Sequence, residues 1–282
     1  MAPGGSTPDS PEAWGSVAVG WERRGALFAD ATRELTERLV ALLDPQPGER
    51  VLELAAGVGD TGFEAARRLL PGGTLLTTDV APEMLEVARR RAAALGVSNA
   101  EFRAIDLMAI DLADASVDGV LCRFGVMLVE DPAVALAEVA RVLRPGGRAS
   151  VAVWASSEDN EWMTAAGRSA VALGLTERPD PRDPGPFRLA DAVELRDLHE
   201  GAGLAVEALE DVPVRWRAES LDEWWGTVSD MSPRMAVQLA TLTDDEIAAI
   251  RRGAEDLLAG WTREDGSLEV PGLARVALAR RG

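Results

Sequence analysis

Between residues 50 and 154, short apolar runs alternate with amphipathic stretches, and this alternation constrains the chain more than any other feature of it. The run Arg50-Val-Leu-Glu-Leu-Ala-Ala breaks into glycines and gives way to a helical pattern over 62–70. The unit then recurs. Residues 74–79 are strand-like and 81–95 helical, 100–106 and 117–124 read as strands, and 132–143 as a helix. A turn at Arg144-Pro-Gly-Gly-Arg148 precedes a fifth strand over 149–154. Parallel strands need crossovers, so βα units of this length predict an α/β fold with a Rossmann-like, doubly wound sheet. Its ligands would lie at the carboxyl ends of the strands.

The flanks complete the architecture. Leu27, Leu35, Leu39, Leu42 and Leu43 recur at helical spacing and predict one or two helices over 21–43, closed by Pro45 and Pro47. After Trp154 the pattern loosens, and 179–186 is too rich in proline for regular structure. A helix over 190–201 leads into a long strand, 204–218; residues 220–261 read as helical, and 268–280 as a last strand pairing with 204–218. The expected whole is a seven-stranded sheet, mostly parallel with a terminal antiparallel hairpin, plus a helical cap inserted in that hairpin.

Composition narrows the function. A formal net charge of -18 would repel a phosphate backbone, and the arginines are scattered along helices, so nucleic acid is not an expected partner. No apolar run approaches the length of a membrane span, and the N-terminal stretch lacks a basic start and an apolar segment, so no membrane partner and a cytoplasmic location are expected. Cys122 is alone, which leaves no internal disulfide and no thiolate metal site; metal is expected to be absent.

Three strand ends carry candidate chemistry. The first βα turn holds Glu53 with Gly57 and Gly59, and glycines there let a backbone pass close to a ligand or simply make a turn. Gly62 is the candidate third glycine of a dinucleotide fingerprint. Asp79 ends the second strand, where a carboxylate accepts both hydroxyls of a ribose or caps the helix that follows. Asp106 ends the third strand and Leu107 follows it, placed for an adenine amino group and ring.

Together, Leu52-Glu-Leu-Ala-Ala-Gly-Val-Gly59, Asp79 with Pro82-Glu-Met84, Asp106-Leu107 and Leu143-Arg-Pro-Gly-Gly147 resemble the class I S-adenosylmethionine (SAM) dependent methyltransferases, and in particular their ubiquinone/menaquinone-biosynthesis-like branch. The resemblance spans roughly 51–154 strongly and the remainder loosely. It implies SAM as the cofactor. Glu53, Gly57 and Gly59 would surround its methionine portion, Asp79 its ribose and Asp106 its adenine, with Val80 and Met84 around the base. Ala55 departs from the glycine of many relatives and crowds the approach to the cofactor. Where some relatives carry an Asn-Pro-Pro-Tyr motif after the fourth strand, this chain reads Cys122-Arg-Phe-Gly125, which speaks against a nucleobase or glutamine amide as acceptor.

Pattern and resemblance together divide the chain into a disordered lead over 1–18, N-terminal helices covering the cofactor site over 19–48, a SAM-binding core over 49–155, and the rest of the core with substrate-side loops over 156–219. A helical cap over 220–262 and the last strand over 263–282 complete it. Arg123 stands at the end of the fourth strand, placed to bind the cofactor carboxylate, to pair with Asp106 or Glu53, or to hold an anionic substrate group. Trp21, Phe28, Trp154, Trp162 and Trp224 are the candidate substrate pocket, suited to a flat or apolar acceptor; Trp216, Trp225, Met231 and Met235 read as packing residues. Catalytic residues are not assigned: the chain has no tyrosine, and His199, its one histidine, reads as a helix residue.

The expected function is methyl transfer from SAM to O, N or C of a small, apolar or aromatic metabolite. Against it stand a SAM-binding relative that performs a non-methylating reaction on a natural product, and an NAD(P)-dependent oxidoreductase, for which no Tyr-x-x-x-Lys pair exists. A small-molecule substrate is the expected partner, with a homodimer as the assembly to test.

Overall fold

The computed structural model describes residues 10–282; residues 1–9 lie outside the described part. A seven-stranded sheet runs through it, formed by β1 (Arg50–Leu54), β2 (Thr74–Asp79), β3 (Ala100–Ala104), β4 (Val117–Arg123), β5 (Leu143–Trp154), β6 (Leu204–Ala218) and β7 (Leu268–Arg281). Their order in space is β3-β2-β1-β4-β5-β7-β6. The first five are parallel, while β7 runs antiparallel to both β5 and β6. The order reverses between β1 and β4, and a sheet wound this way leaves a crevice at the carboxyl ends of those two strands. The seven-stranded, mostly parallel sheet with its antiparallel hairpin is the architecture the sequence predicts.

The helices are α1 (Pro11–Ser16), α2 (Ala18–Ala31), α3 (Arg33–Leu43), α4 (Asp60–Arg68), α5 (Pro82–Leu95), α6 (Pro132–Val142), α7 (Glu161–Ala172), α8 (Ala192–Gly201), α9 (Leu221–Met231), α10 (Pro233–Leu239) and α11 (Asp244–Leu258). Local chemistry sets many of their ends. Asp131 accepts from the amides of Ala133 and Val134 with Pro132 at the first helical position, and α6 starts there. Thr243 and Glu246 form a reciprocal capping box on α11. Gly96, left-handed at φ 69°, ends α5.

β1 is buried beyond Arg50, with Val51, Leu52 and Leu54 inside the core and Glu53 among them. Buried parallel strands read as continuous apolar runs, which is why this strand was visible in the sequence. The expected turn at Arg144 to Arg148 is instead an irregularity within β5. Leu143 pairs with Val117, then the register jumps so that Gly119 faces Arg148.

Two expectations need correction. The lead was expected to be disordered through residue 18, but α1 occupies Pro11–Ser16 and α2 begins at Ala18. Ser10 caps α1 by accepting from the Ala13 amide, and Val17 and Ala18 are buried with Val58, Met84 and Val87. A six-residue helix is too short to show a period, and its burial comes from α5, far along the chain. The second is α7, which sequence reading missed. Trp162, Ala165, Ala166, Ser169 and Ala170 are its buried residues, spaced as one helical face. The period was present, carried by small residues rather than by large apolar ones.

The insertion between β6 and β7 rests on two helices from elsewhere. α9 lies against α2 so closely that a Cβ on Gly20 would stand 1.9 Å from the Asp230 carbonyl oxygen. The Trp21 indole donates to the Met231 carbonyl at 3.0 Å, and Arg24 pairs with Asp230 at 3.0 Å. α11 packs on α7, where Gly253 faces Ser169. Among the described residues no helix is long and apolar enough to cross a membrane.

Candidate active site

A cleft of about 2140 Å³ opens above the carboxyl ends of β1, β2 and β4. Glu53, Ala55, Gly57 and Asp79 line it, as do Val80, Met84, Asp106 and Leu107. Gly59 does not. The three glycines of the first turn therefore do different work. Gly57 has φ 54°, and a Cβ there would meet no atom within 4 Å, so backbone conformation alone calls for glycine. Gly59 has φ 88° at the start of α4, and a Cβ would strike the Phe63 ring at 2.4 Å. It shapes the turn rather than the cleft wall. A Cβ on Gly62 would stand 2.1 Å from Glu53 Oε2, so this glycine makes room for a carboxylate and not for a dinucleotide.

Glu53 is buried, and its Oε1 accepts from the Gly62 amide at 2.6 Å. Its Oε2 is buried with no hydrogen-bond partner among the described residues. Burial pushes its carboxyl up to about 8, against the pull of the Gly62 amide and the Arg123 charge. A buried acceptor held on one side only, in a cleft wall, suits a ligand that brings its own donor or positive charge.

Asp79 is held on both sides: Oδ2 accepts from the Gly57 amide at 2.8 Å and Oδ1 from the Ala81 amide at 2.9 Å. Burial raises its carboxyl above the ordinary range, and the amides at Ala81, Gly57 and Val80 oppose the rise. The capping alternative is met in part, since Asp79 binds the amide of Ala81, which is itself the cap residue of α5. Each oxygen keeps a lone pair, so an oriented carboxylate remains for two neighbouring hydroxyls. Asp106 is exposed, with Oδ1 accepting from the Met108 amide at 2.8 Å, while Leu107 is buried beside it. Met84 is buried among Val17, Val58 and Val87, and Trp14 of α1 packs on that cluster.

Arg123 lies where the sequence placed it but pairs with a residue the sequence did not suggest. Its guanidinium stands 3.6 Å from Asp60 Oδ2, donates to Thr32 Oγ1 at 3.1 Å and Thr36 Oγ1 at 3.0 Å, and lies 5.3 Å from the Phe28 ring centre. Neither Glu53 nor Asp106 is its ion-pair partner. Asp60 opens α4 and also holds Arg91, so the arginine ties β4 to α3 and α4. Burial lowers its pKa, and the nearby charges of Asp60 and Glu53 oppose this.

Aromatic rings line the other half of the cleft. Phe124 stacks on Trp154 with centres 3.9 Å apart, Trp154 meets Trp162 edge-on at 5.6 Å, and Trp162 stacks on Trp216 at 4.4 Å. Trp216 and Phe124 each contact Phe28 at 6.3 Å, which closes a ring of five aromatic side chains; Trp21 contacts Phe28 at 4.9 Å. Trp21, Phe28, Trp154 and Trp162 line the cleft as expected, and Phe124 joins them. Sequence reading missed Phe124 as a wall residue. Its backbone is left-handed, φ 64°, an uncommon conformation for a bulky side chain that needs surrounding structure to hold it.

Trp224 is a correction. It is fully buried, its indole donates to the Trp162 carbonyl at 2.9 Å, and it supports the wall from behind rather than facing the cleft. Trp216 is buried in β6, and Met231 and Met235 lie at the cap face of the cleft. His199 is buried in α8 with Nδ1 against the Leu195 carbonyl at 2.7 Å, and is not among the cleft residues.

Comparison with known proteins bears on the segment that carries this cleft. Residues 51–147 match the methyltransferase domain family model. An uncharacterized protein of Mycobacterium tuberculosis is 38% identical over 116 residues, 41% of each chain. The ubiquinone/menaquinone biosynthesis C-methyltransferase of Acidiphilium cryptum is 36% identical over 139 residues, 49% of this chain and 55% of that one. The arsenite methyltransferase of Halobacterium salinarum is 32% identical over 151 residues, 52% of this chain and 39% of that one. The matches thus span about half the length of these relatives or less. Among solved structures, the [4+2]-cyclase SpnF superposes with a TM-score of 0.57 at 18% identity, covering 95% of this chain and 96% of that one, a likeness of fold. The turn at Glu53 and the carboxylate at Asp79 both lie within the segment 51–147 that matches the methyltransferase domain.

Proposed function

We propose that the protein transfers a methyl group from SAM to oxygen, nitrogen or carbon of a small apolar or aromatic acceptor. The observation that carries this reading is the meeting, in one cleft, of the Glu53–Gly57–Asp79 turn with the wall of Phe124 and Trp154. The cofactor supplies an electrophilic methyl group on a sulfonium. The residues of the chain do the rest. Asp79 accepts from the ribose hydroxyls, Asp106 from the adenine amino group with Leu107, Val80 and Met84 about the ring, and Glu53 and Gly57 border the methionine portion. The aromatic wall excludes water and holds the acceptor in line for displacement.

The wall also favours an organic acceptor. Soft metalloids such as arsenite are held by thiolates, but Cys122 is buried and its thiol is pushed up to about 12, so it stays protonated. Calorimetric titration with SAM and separately with NADH tests the reading, followed by transfer of labelled methyl from SAM to a panel of aromatic acceptors. Binding of SAM alone and label in an organic product are expected. Binding of NADH without SAM would overturn it.

A further inference from the structure

Arginine is this chain's only basic side chain apart from one histidine, and with 47 acidic residues to 29 arginines most guanidinium groups have a carboxylate within reach. Arg188 does not. It lies half-buried in the cleft wall, and no carboxylate approaches within 4 Å of it among the described residues. Its Nη1 donates to the carbonyls of Val129 and Glu130, at 2.8 and 2.7 Å. Its Nε and Nη2 make no hydrogen bond within the described chain, and they are not among its sealed-off polar atoms.

Two other arginines of the same cleft are neutralised, while Arg178 is exposed to solvent. Arg123 pairs with Asp60 and Arg168 with Glu161 at 2.8 Å. Arg188 is also held in place: the Gly185 amide donates to the Met127 carbonyl at 3.0 Å, fastening its loop to the segment that leaves Phe124. One edge of the guanidinium is anchored, and the edge able to grip two oxygens is left over. That is the geometry of a planar oxyanion site.

We propose that Arg188 forms an anion subsite at the outer end of the cleft, and that the acceptor carries a carboxylate remote from the atom that is methylated. The naming of this ligand as the acceptor rests on the methyl-transfer reading; the subsite does not. The acceptor is then a molecule with an apolar or aromatic body against Phe124 and Trp154 and an acid at its far end. Six chain steps lead from Phe124 to Glu130, so their Cα atoms lie at most about 22 Å apart.

The test uses biphenyl-4-carboxylate and its neutral isostere biphenyl-4-carboxamide as probes, read by quenching of tryptophan fluorescence, with and without S-adenosylhomocysteine. The native protein is expected to bind the carboxylate about tenfold or more tightly than the carboxamide, the scale of a charge-assisted hydrogen-bonded pair. Arg188→Gln should bring the carboxylate to the affinity of the carboxamide while leaving the latter unchanged, and Arg188→Lys should keep part of the preference. Arg178→Gln, at an exposed arginine of the same cleft, should change neither. Equal affinities in the native protein would overturn the proposal even without a variant, as would a preference surviving in Arg188→Gln or lost in Arg178→Gln. Failure of the methyl-transfer reading would show separately, as absence of S-adenosylhomocysteine binding with the carboxylate preference intact.

Discussion

Three residues of the first two strand ends show how the site is held. Ala55 sits at φ 49°, where an L-residue with a Cβ costs about 1–2 kcal/mol. Ala55→Gly should therefore stabilise the protein by about 0.5–1 kcal/mol, the gain being reduced by the freer unfolded chain. Urea unfolding reads this, and a loss would show that the methyl group, packed where Gly125 leaves space for it, matters more than the strain. Glu53 titrates near 8 in the folded protein against 4.5 for the free group, so it binds a proton when folded that the unfolded chain has already lost. Its contribution is fully present below about 4.5 and lost as pH rises through about 8. The melting temperature of the protein without cofactor should fall across that window, and Glu53→Gln should flatten the fall; Asp79, raised by burial, adds to it in the same sense. Asp79→Ala removes a carboxylate whose hydrogen bonds are each worth about 1.5–3 kcal/mol, and should weaken SAM binding by about 100-fold. Calorimetry showing native affinity in that variant would sink the ribose assignment.

Elements meet through small residues. α2 and α9 approach at Gly20, and Gly20→Ala would drive a methyl group into the Asp230 carbonyl. The expected result is a loss of about 1–3 kcal/mol, the cost of overpacking, with faster cleavage by protease within the insertion. Native stability would mean that α9 is free to shift along α2. The sequence showed both helices but not their junction. Gly20 stands in a helix interior with no turn to explain it, and the residue that excludes a side chain lies 210 positions away. α7 escaped notice for a related reason. Its buried face is mostly alanine and serine, which become interior only because α11 lies on them through Gly253.

Across the molecule, the N-terminal helices and the insertion form one cover. α1 touches both α5 and α10, α2 touches both α5 and α9, and Asp230 takes Arg23 and Arg24 from α2. Ser10, Pro11 and Trp14 line the cleft beside Val80 and Met84, and Thr227, Val228 and Met231 line it from the other side. Ligand binding should therefore protect residues 10–31 and 220–262 from proteolysis together. Protection of one segment with the other still open, followed by mass spectrometry of the fragments, would count against a joint cover.

What the sequence by itself determined is local in origin. Buried parallel strands such as β1 and β2 write themselves as apolar runs, and the residues at their carboxyl ends border the crevice, so the places of Glu53, Gly57 and Asp79 were readable from the sequence, whereas β3 is mostly exposed and Asp106 stood out only as an acid at a strand end. The hairpin of β6 and β7 was readable from two long runs, which pair antiparallel from Leu204 with Arg281 to Ala218 with Leu268. Tertiary structure decided what depends on partners distant in the chain. Asp60 rather than Glu53 takes Arg123, because α4 turns its first residue back over β4. Trp224 supports the wall while Phe124 faces the cleft, because a left-handed residue at the end of β4 re-aims its ring onto Trp154. Gly62 serves Glu53 because strand and helix pack within a methyl group's width of each other. Pairings of this kind depend on distances in space, and periodicity along the chain carries no record of them.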